Sequence, residues 1–432
     1  MQAIIKKYAI LFISIVLYRL FLDRGYYDVI AQIYEYSGFS NQSDFDRTLL
    51  SWIIFVPTIP MIIRIIHGSE RTSSMIVTML YFLMFVPNTV MISTVKYSIR
   101  YSLLSSLYWY ILIIGTVWLN KNRKSTESIR IKHRKLTNFI SLVYVIGAVS
   151  FLVVLYISAR YAHFRLNIDL FAVYEYRTEA RNYNLPTWLR YMFAWTRAIN
   201  PMLLGYAIQR KNYIIAVVLV VAQLLSFGID GMKMTLFVCV LTAFLSLYFN
   251  GTIKWFNRKM VYGFSFVSFI AWAEYFIVGN FTILSIVVRR IMFLPNLINY
   301  YYYDYFQLNV PDYFRGSIGG LIGSKSPYGD LGHTIGEVYF ARPEMNANNG
   351  MIADAVTNMG TIGFVLMPLV LLLLLRIFDR ASHGISVKTL IPIAMFMAIQ
   401  LINSFMTTCL LTHGFLVIYL LVTMFPKREP KR

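Results

Sequence analysis

Gly363-Phe364-Val365-Leu366-Met367-Pro368-Leu369-Val370-Leu371-Leu372-Leu373-Leu374-Leu375 holds no charged residue, and it closes a stretch, 352–375, whose single charge is Asp354. A run of about 18 or more apolar residues reads as a helix that crosses a bilayer. In lipid every backbone N–H and C=O must be satisfied within its own segment. Working outward, comparable runs cover 3–22, 49–67, 73–95, 101–119, 137–158, 191–208, 212–228, 234–249, 261–282, 389–405 and 409–425. With 352–375 they make twelve expected spans, so the expected fold is an all-α polytopic membrane protein, a single transmembrane domain over 1–432. Composition agrees: of 432 residues, 58% are hydrophobic and 14% charged, against about a quarter charged in a soluble domain.

The net charge of +20 does not mark a nucleic-acid binder, because much of it sits in short loops between apolar runs, where cations set orientation. Lys121, Arg123, Lys124, Arg130, Lys132, Arg134 and Lys135 face only Glu127. Lys254, Arg258 and Lys259 follow the eighth run, Arg376, Arg380 and Lys388 the tenth, and the chain ends Lys427-Arg428-Glu429-Pro430-Lys431-Arg432. With Lys6-Lys7 and Arg210-Lys211 these fall on one side, which the positive-inside rule makes cytoplasmic, both termini included. Cys239 and Cys409 lie within apolar runs, so no disulfide framework is implied. The run 3–22 is long for a signal-peptide core and lacks a small-residue cleavage site.

The opposite side carries the one long hydrophilic stretch, 283–351, between the ninth and tenth spans. Its aromatic content and Gly/Pro punctuation point to an ordered loop. It opens on Arg289-Arg290, whose planar forks suit phosphate oxygens, although arginines at a helix end also snorkel to headgroups. Tyr300-Tyr301-Tyr302-Tyr303-Asp304-Tyr305-Phe306 follows. It reads either as an interfacial aromatic girdle or as a surface on which sugar rings stack, with Tyr301, Tyr302 and Tyr305 as glycan contacts. His333, in Gly329–Glu337, has the titration range of a general base. Glu337 shares that segment, and an ordinary surface histidine is the plainer alternative. Asn346-Ala347-Asn348-Asn349-Gly350 leads into the tenth span. There Gly350, Asp354 and Asn358 share a helical face, and Gly360 and Gly363 permit close helix approach. An acid in a first helical turn is also favoured by the macrodipole alone.

Arg197 lies inside the sixth span, where an arginine is costly and points to a functional cavity or to an ion-pair partner such as Glu274. Lys233 follows Ser226-Phe227-Gly228-Ile229-Asp230-Gly231-Met232, a tight outer turn whose glycines can expose amides to an anion. No histidine pair has metal-ligand spacing and no acidic cluster suggests Mg²⁺, so neither metal nor cofactor is expected. No internal repeat of the transporter kind is evident.

Three stretches together resemble the Wzy-type O-antigen polymerases, the oligosaccharide repeat unit polymerases. They are Arg197–Pro201 leading to Gly231-Met232-Lys233, Arg289-Arg290 through Pro295 to Phe306, and Ile335–Phe340 running into Asn346–Gly363. The resemblance covers roughly the second half of the chain. It implies a GT-C-like glycosyltransferase of the bacterial inner membrane whose site faces the periplasm or exterior. Such an enzyme joins a glycan from one undecaprenyl diphosphate carrier to the repeat unit on another, for O-antigen or capsule assembly. It implies undecaprenyl diphosphate-linked oligosaccharides and membrane lipids as partners, with a chain-length regulator as a further candidate and no nucleic acid. On that reading Arg197, Lys233, Arg289 and Arg290 hold the diphosphate. His333, Glu337 and Asp354 are candidates for base or acceptor positioning, and Tyr301, Tyr302, Tyr305 and Asn348 for glycan contact. A lipid-linked oligosaccharide flippase is the rival from another class, and an O-antigen ligase is the other alternative. The chain lacks the ligases' His-x-x-Asn motif at the start of the tenth span.

Overall fold

The computed structural model describes residues 2–121, 136–165, 176, 178–180 and 182–425. Among the described residues the regular elements are helices, with no strand. Six are long and apolar enough to cross a membrane: Phe45–Gly68, Thr72–Thr94, Ile99–Lys121, Tyr213–Asp230, Ile253–Val278 and Met351–Ser382. Four shorter apolar helices accompany them, at Tyr144–Arg160, Lys233–Tyr248, Val387–Asn403 and Phe415–Met424. Gln2–Gly25 and Thr187–Gln209 occupy the first and sixth expected intervals. This is the architecture of an all-α membrane protein. Contacts group the chain into two compact units, one drawn from Met1–Ser125, Thr252–Ile377 and Ala398–Thr407, the other from Thr126–Gly251, Phe378–Met397 and Thr408–Arg432.

Thr72–Thr94 is the axis of the first unit and is buried on all sides, as expected of a helix with apolar residues around its whole circumference. Its hydroxyls turn back onto its own backbone: Thr78 donates to Ser74 O at 2.6 Å, Thr89 to Val86 O at 2.7 Å and Ser93 to Val90 O at 2.6 Å. Such back-bonding lets polar side chains sit in a dry interior. The helix widens into a π turn at Tyr81–Phe85, just before Pro87. In that register the donor for the Phe82 carbonyl is the N–H of residue 87, which proline lacks. The Tyr18 phenol supplies the missing donor, at 2.7 Å. Phe82 also stacks on Phe264 with centroids 5.4 Å apart, and Ser265 donates to Ser14 O at 2.8 Å, which fastens Gln2–Gly25 along Ile253–Val278.

Arg19 is completely buried in this unit. Its guanidinium reaches Asp23 at 3.0 Å and Ser51 Oγ at 3.1 Å, bonds Thr89 Oγ1, and lies near the rings of Trp52 and Phe55. A buried charge survives only when paired and hydrogen-bonded in this way.

The hydrophilic stretch 283–351 is mostly helical. A ten-residue π-helical segment, Leu284–Phe293, passes into the helix Leu294–Leu308, followed by turns, the helix Leu331–Phe340 and an irregular return. Pro295 stands five residues after Arg290, so in π register it removes that carbonyl's donor, as Pro87 does for Phe82.

In the second unit Thr187–Gln209 packs against Leu136–Arg160, Tyr213–Asp230 and Lys233–Tyr248. Val153, Val154, Ile157, Leu189, Phe193, Leu225 and Ile229 form a buried cluster between them. Two polar contacts position the central helix: Ser150 donates to Asn200 Oδ1 at 2.6 Å and Trp195 Nε1 to Leu411 O at 2.8 Å.

Candidate functional site

Arg289 and Arg290 sit on the Leu284–Phe293 segment of the first unit. π-helical turns are uncommon and gather at functional sites, since the widened turn re-aims the side chains that follow. The Arg289 guanidinium lies 3.9 Å from the centroid of the Tyr34 ring, whose phenol oxygen is 2.7 Å from Ser285 Oγ. Its Nε is buried without a hydrogen-bond partner. Arg290 is exposed. Neither makes an ion pair among the described residues, whereas Arg19, Arg165 and Arg197 all do. Two guanidinium groups one residue apart and free of carboxylates favour an anion brought from outside.

The tyrosine run divides by burial. Tyr302 is completely buried and packs on Phe405 at 5.8 Å, so its ring belongs to the core and not to a glycan. Tyr301 is half-buried, stacked on Tyr339 at 4.4 Å and 12°, with Phe340 edge-on at 5.4 Å. The Tyr339 phenol donates to Asp304 Oδ2 at 2.7 Å. Burial pushes the Tyr301 phenol up to about 12. Burial also raises Tyr339, and its bond to Asp304 adds to the effect. Both rings therefore remain neutral hydroxyl donors at any working pH. The Tyr301 hydroxyl occupies the space a Cβ on Gly38 would need, and Gly38 holds φ +91°. The segment Tyr34–Gly38 thus links the arginine helix to the aromatic stack. Tyr305 is half-buried beside Tyr328, at 6.2 Å.

His333 and Glu337 lie one turn apart on Leu331–Phe340, whose N-terminus Asp330 caps through Gly332 N at 3.0 Å. His333 is half-buried; its Nδ1 is 2.8 Å from Pro343 O, and its Nε2 is 3.8 Å from Asp330 Oδ2. With Nδ1–H donated to that carbonyl, Nε2 is the nitrogen left basic. Glu337 is exposed. Asn348 is exposed as well, and its Oδ1 would be 2.9 Å from a Cβ on Gly332, so the irregular return brings it beside the histidine helix. Asn349 ties that return to Leu294–Leu308, donating to Pro295 O at 2.8 Å and Asn299 Oδ1 at 2.9 Å.

Asp354 requires a correction. It is wholly enclosed, so it touches no substrate. Asn358 Nδ2 donates to its Oδ1 at 2.6 Å and Thr407 N to its Oδ2 at 3.2 Å. Asn358 Oδ1 in turn accepts from Phe314 N at 2.8 Å, while Asp312 N donates to Thr357 O at 2.7 Å. Asp354 therefore anchors the 312–316 turn, and the catalytic assignment is withdrawn.

Arg197 also differs from expectation. Its partner is Asp230, at the end of Tyr213–Asp230, and the guanidinium lies 4.7 Å from the Phe193 ring centroid. Glu274, named as one acid that could pair with it, instead accepts from Ile283 N at 2.8 Å. Asp230 also takes Met232 N at 3.1 Å, and Gly231 adopts φ +64°. The tight turn is present as read, but its role is to place a carboxylate on Arg197. That charge is already met by a carboxylate, whereas Arg289 and Arg290 have no such partner among the described residues. Lys233 is exposed in the first turn of Lys233–Tyr248.

Sequence reading missed Tyr34, Tyr339, Asp304 and Asp230. Asp230 carried a signal, as the acid in the turn that closes the next apolar run after Arg197. Tyr34 and Tyr339 carried none, because their partners are remote in the chain. Among the described residues no group of three His, Cys, Asp or Glu side chains is placed to hold a metal ion. No family model, curated protein or solved structure matches this chain.

Proposed function

We propose that the chain is a twelve-span, GT-C-like membrane glycosyltransferase that polymerises lipid-linked oligosaccharide repeat units at the outer face of the bacterial inner membrane. The observation that carries this reading is the pair Arg289-Arg290, unpaired with any carboxylate among the described residues, with Arg289 over the Tyr34 ring and the segment Tyr34–Gly38 leading to the stacked pair Tyr301 and Tyr339. Cations that are not neutralised suit the diphosphate of a polyprenyl carrier, and tyrosine faces suit sugar rings.

The acceptor hydroxyl attacks the donor's anomeric carbon, the bond from that carbon to the diphosphate oxygen breaks, and undecaprenyl diphosphate departs. Fixed guanidinium groups stabilise the charge that develops on the leaving oxygen. His333 Nε2 is the candidate to take the hydroxyl proton, with Glu337 and Asn348 positioning the acceptor. Tyr301 and Tyr305 guide the glycan.

The test is complementation of a deletion strain, read as a polymer ladder. Arg289→Ala is expected to leave single repeat units while the protein still inserts at normal level. Arg289→Lys fares little better, since a point charge does not reproduce the planar fork. A normal ladder from both variants overturns the assignment. Loss of even the single unit, with the glycan trapped inside, favours a flippase instead.

A further inference from the structure

We infer that the second unit carries a separate anion-binding cleft that takes a phosphate-bearing headgroup. The cleft encloses about 620 Å³ where the turn after Thr187–Gln209, the end of Lys233–Tyr248 and the start of Val387–Asn403 come together. Its wall includes Arg210, Lys211 and Lys388 and, among the described residues, no carboxylate. Three cations converging on one hollow repel one another unless an anion sits among them.

The polar groups are arranged for such a guest. Lys388 Nζ donates one hydrogen to Ser246 O at 3.2 Å, which holds the ammonium at the rim with two donors to spare. Ser246 is 3% exposed, lines the cleft, and its hydroxyl has no hydrogen-bond partner. A buried hydroxyl left unsatisfied in this way is costly unless a ligand or water completes it. Gln209 Nε2 donates to Thr389 Oγ1 at 2.8 Å and fixes the opposite wall. Arg210 is exposed with its fork open, 5.5 Å from the Tyr206 ring, which itself meets Phe425 at 5.2 Å. Cations beside aromatic rings match an amphiphile with a charged head and an apolar body. The volume lies within the ordinary range of small-molecule sites, about 300–1,000 Å³. The loops concerned fall on the cation-rich side of the expected topology, where anionic lipid headgroups are met by basic pockets between helices. None of these residues takes part in the proposed sugar transfer.

Two sources share this chemistry, an anionic phospholipid and free phosphate, and binding to the full-length protein separates them. Purified chain in detergent is titrated with phosphatidylglycerol, phosphatidylcholine or inorganic phosphate, with thermal protection and native mass spectrometry as readouts. Phosphatidylglycerol is expected to bind the wild type and to bind Arg210→Gln/Lys388→Gln about 25-fold more weakly, roughly fivefold for each cation removed. Lys325→Gln, in the first unit, retains wild-type binding. Arg210→Gln alone keeps the test valid should Lys388→Gln fail to fold, since Arg210 is exposed. Protection by inorganic phosphate without lipid supports the cleft and assigns it to a soluble anion. Equal binding of phosphatidylcholine, or unchanged affinity in both arginine variants, overturns the inference.

Discussion

Arg197, midway along Thr187–Gln209, and Arg289, within Leu284–Phe293, each have the ring of an aromatic residue against the guanidinium, yet only Arg197 meets a carboxylate. The two are expected to fail differently when removed. The Arg197 and Asp230 side chains are 17% and 16% exposed, enough enclosure for a lone survivor to be costly. Arg197→Ala should destabilise the protein by about 3 kcal/mol, because it strands the acid, and Arg197→Ala/Asp230→Ala should cost clearly less than the sum of the single changes. Thermal unfolding in detergent measures both. Additive losses would show that the pair is not coupled and would return Arg197 to the list of ligand-binding residues. Arg289→Ala strands no acid, so its expected signature is lost polymer at unchanged melting temperature.

At the scale of elements, the lead-in to Met351–Ser382 depends on close approach. A Cβ on Gly350 would lie 2.2 Å from Leu401 O and 2.4 Å from Ile402 O, and one on Gly363 would lie 2.1 Å from Ala355 O. Backbone atoms cannot yield as a flexible side chain does. Gly350→Ala is therefore expected to cost about 1–3 kcal/mol or to abolish insertion. Gly263, midway along Ile253–Val278, has nothing within 4 Å of its Cβ position. There the same change should raise stability by up to about 1 kcal/mol, through helix propensity. Melting temperatures of the two variants, shifted in opposite directions, check the pair. On Met351–Ser382 the sequence led to the expectation that Gly363 allows close approach, but the atom it approaches is Ala355 O of its own segment. The π segments at Tyr81–Phe85 and Leu284–Phe293 were not legible in the sequence, since Pro87 and Pro295 announce a disturbed turn without saying how the chain absorbs it.

For the whole molecule, the expected orientation places 283–351 outside and the cation-rich loops within. Both native cysteines are buried, so introduced thiols report on a quiet background. Lys325→Cys should react with a membrane-impermeant maleimide in intact cells, whereas Gly68→Cys should react only after permeabilisation; both positions are exposed. The reverse pattern would invert the topology and remove the outer-face site with it. Helical class and the places of the apolar segments were readable without coordinates, because hydropathy and cationic loops are properties of consecutive residues. Which polar groups are free for chemistry was decided by folding. Arg197 meets Asp230 across 33 positions and Asp354 meets Thr407 across 53, and Arg289 rests on Tyr34 from a different segment of its unit. Pairing and enclosure depend on neighbours in space, so only the tertiary structure could show which charge was already spoken for.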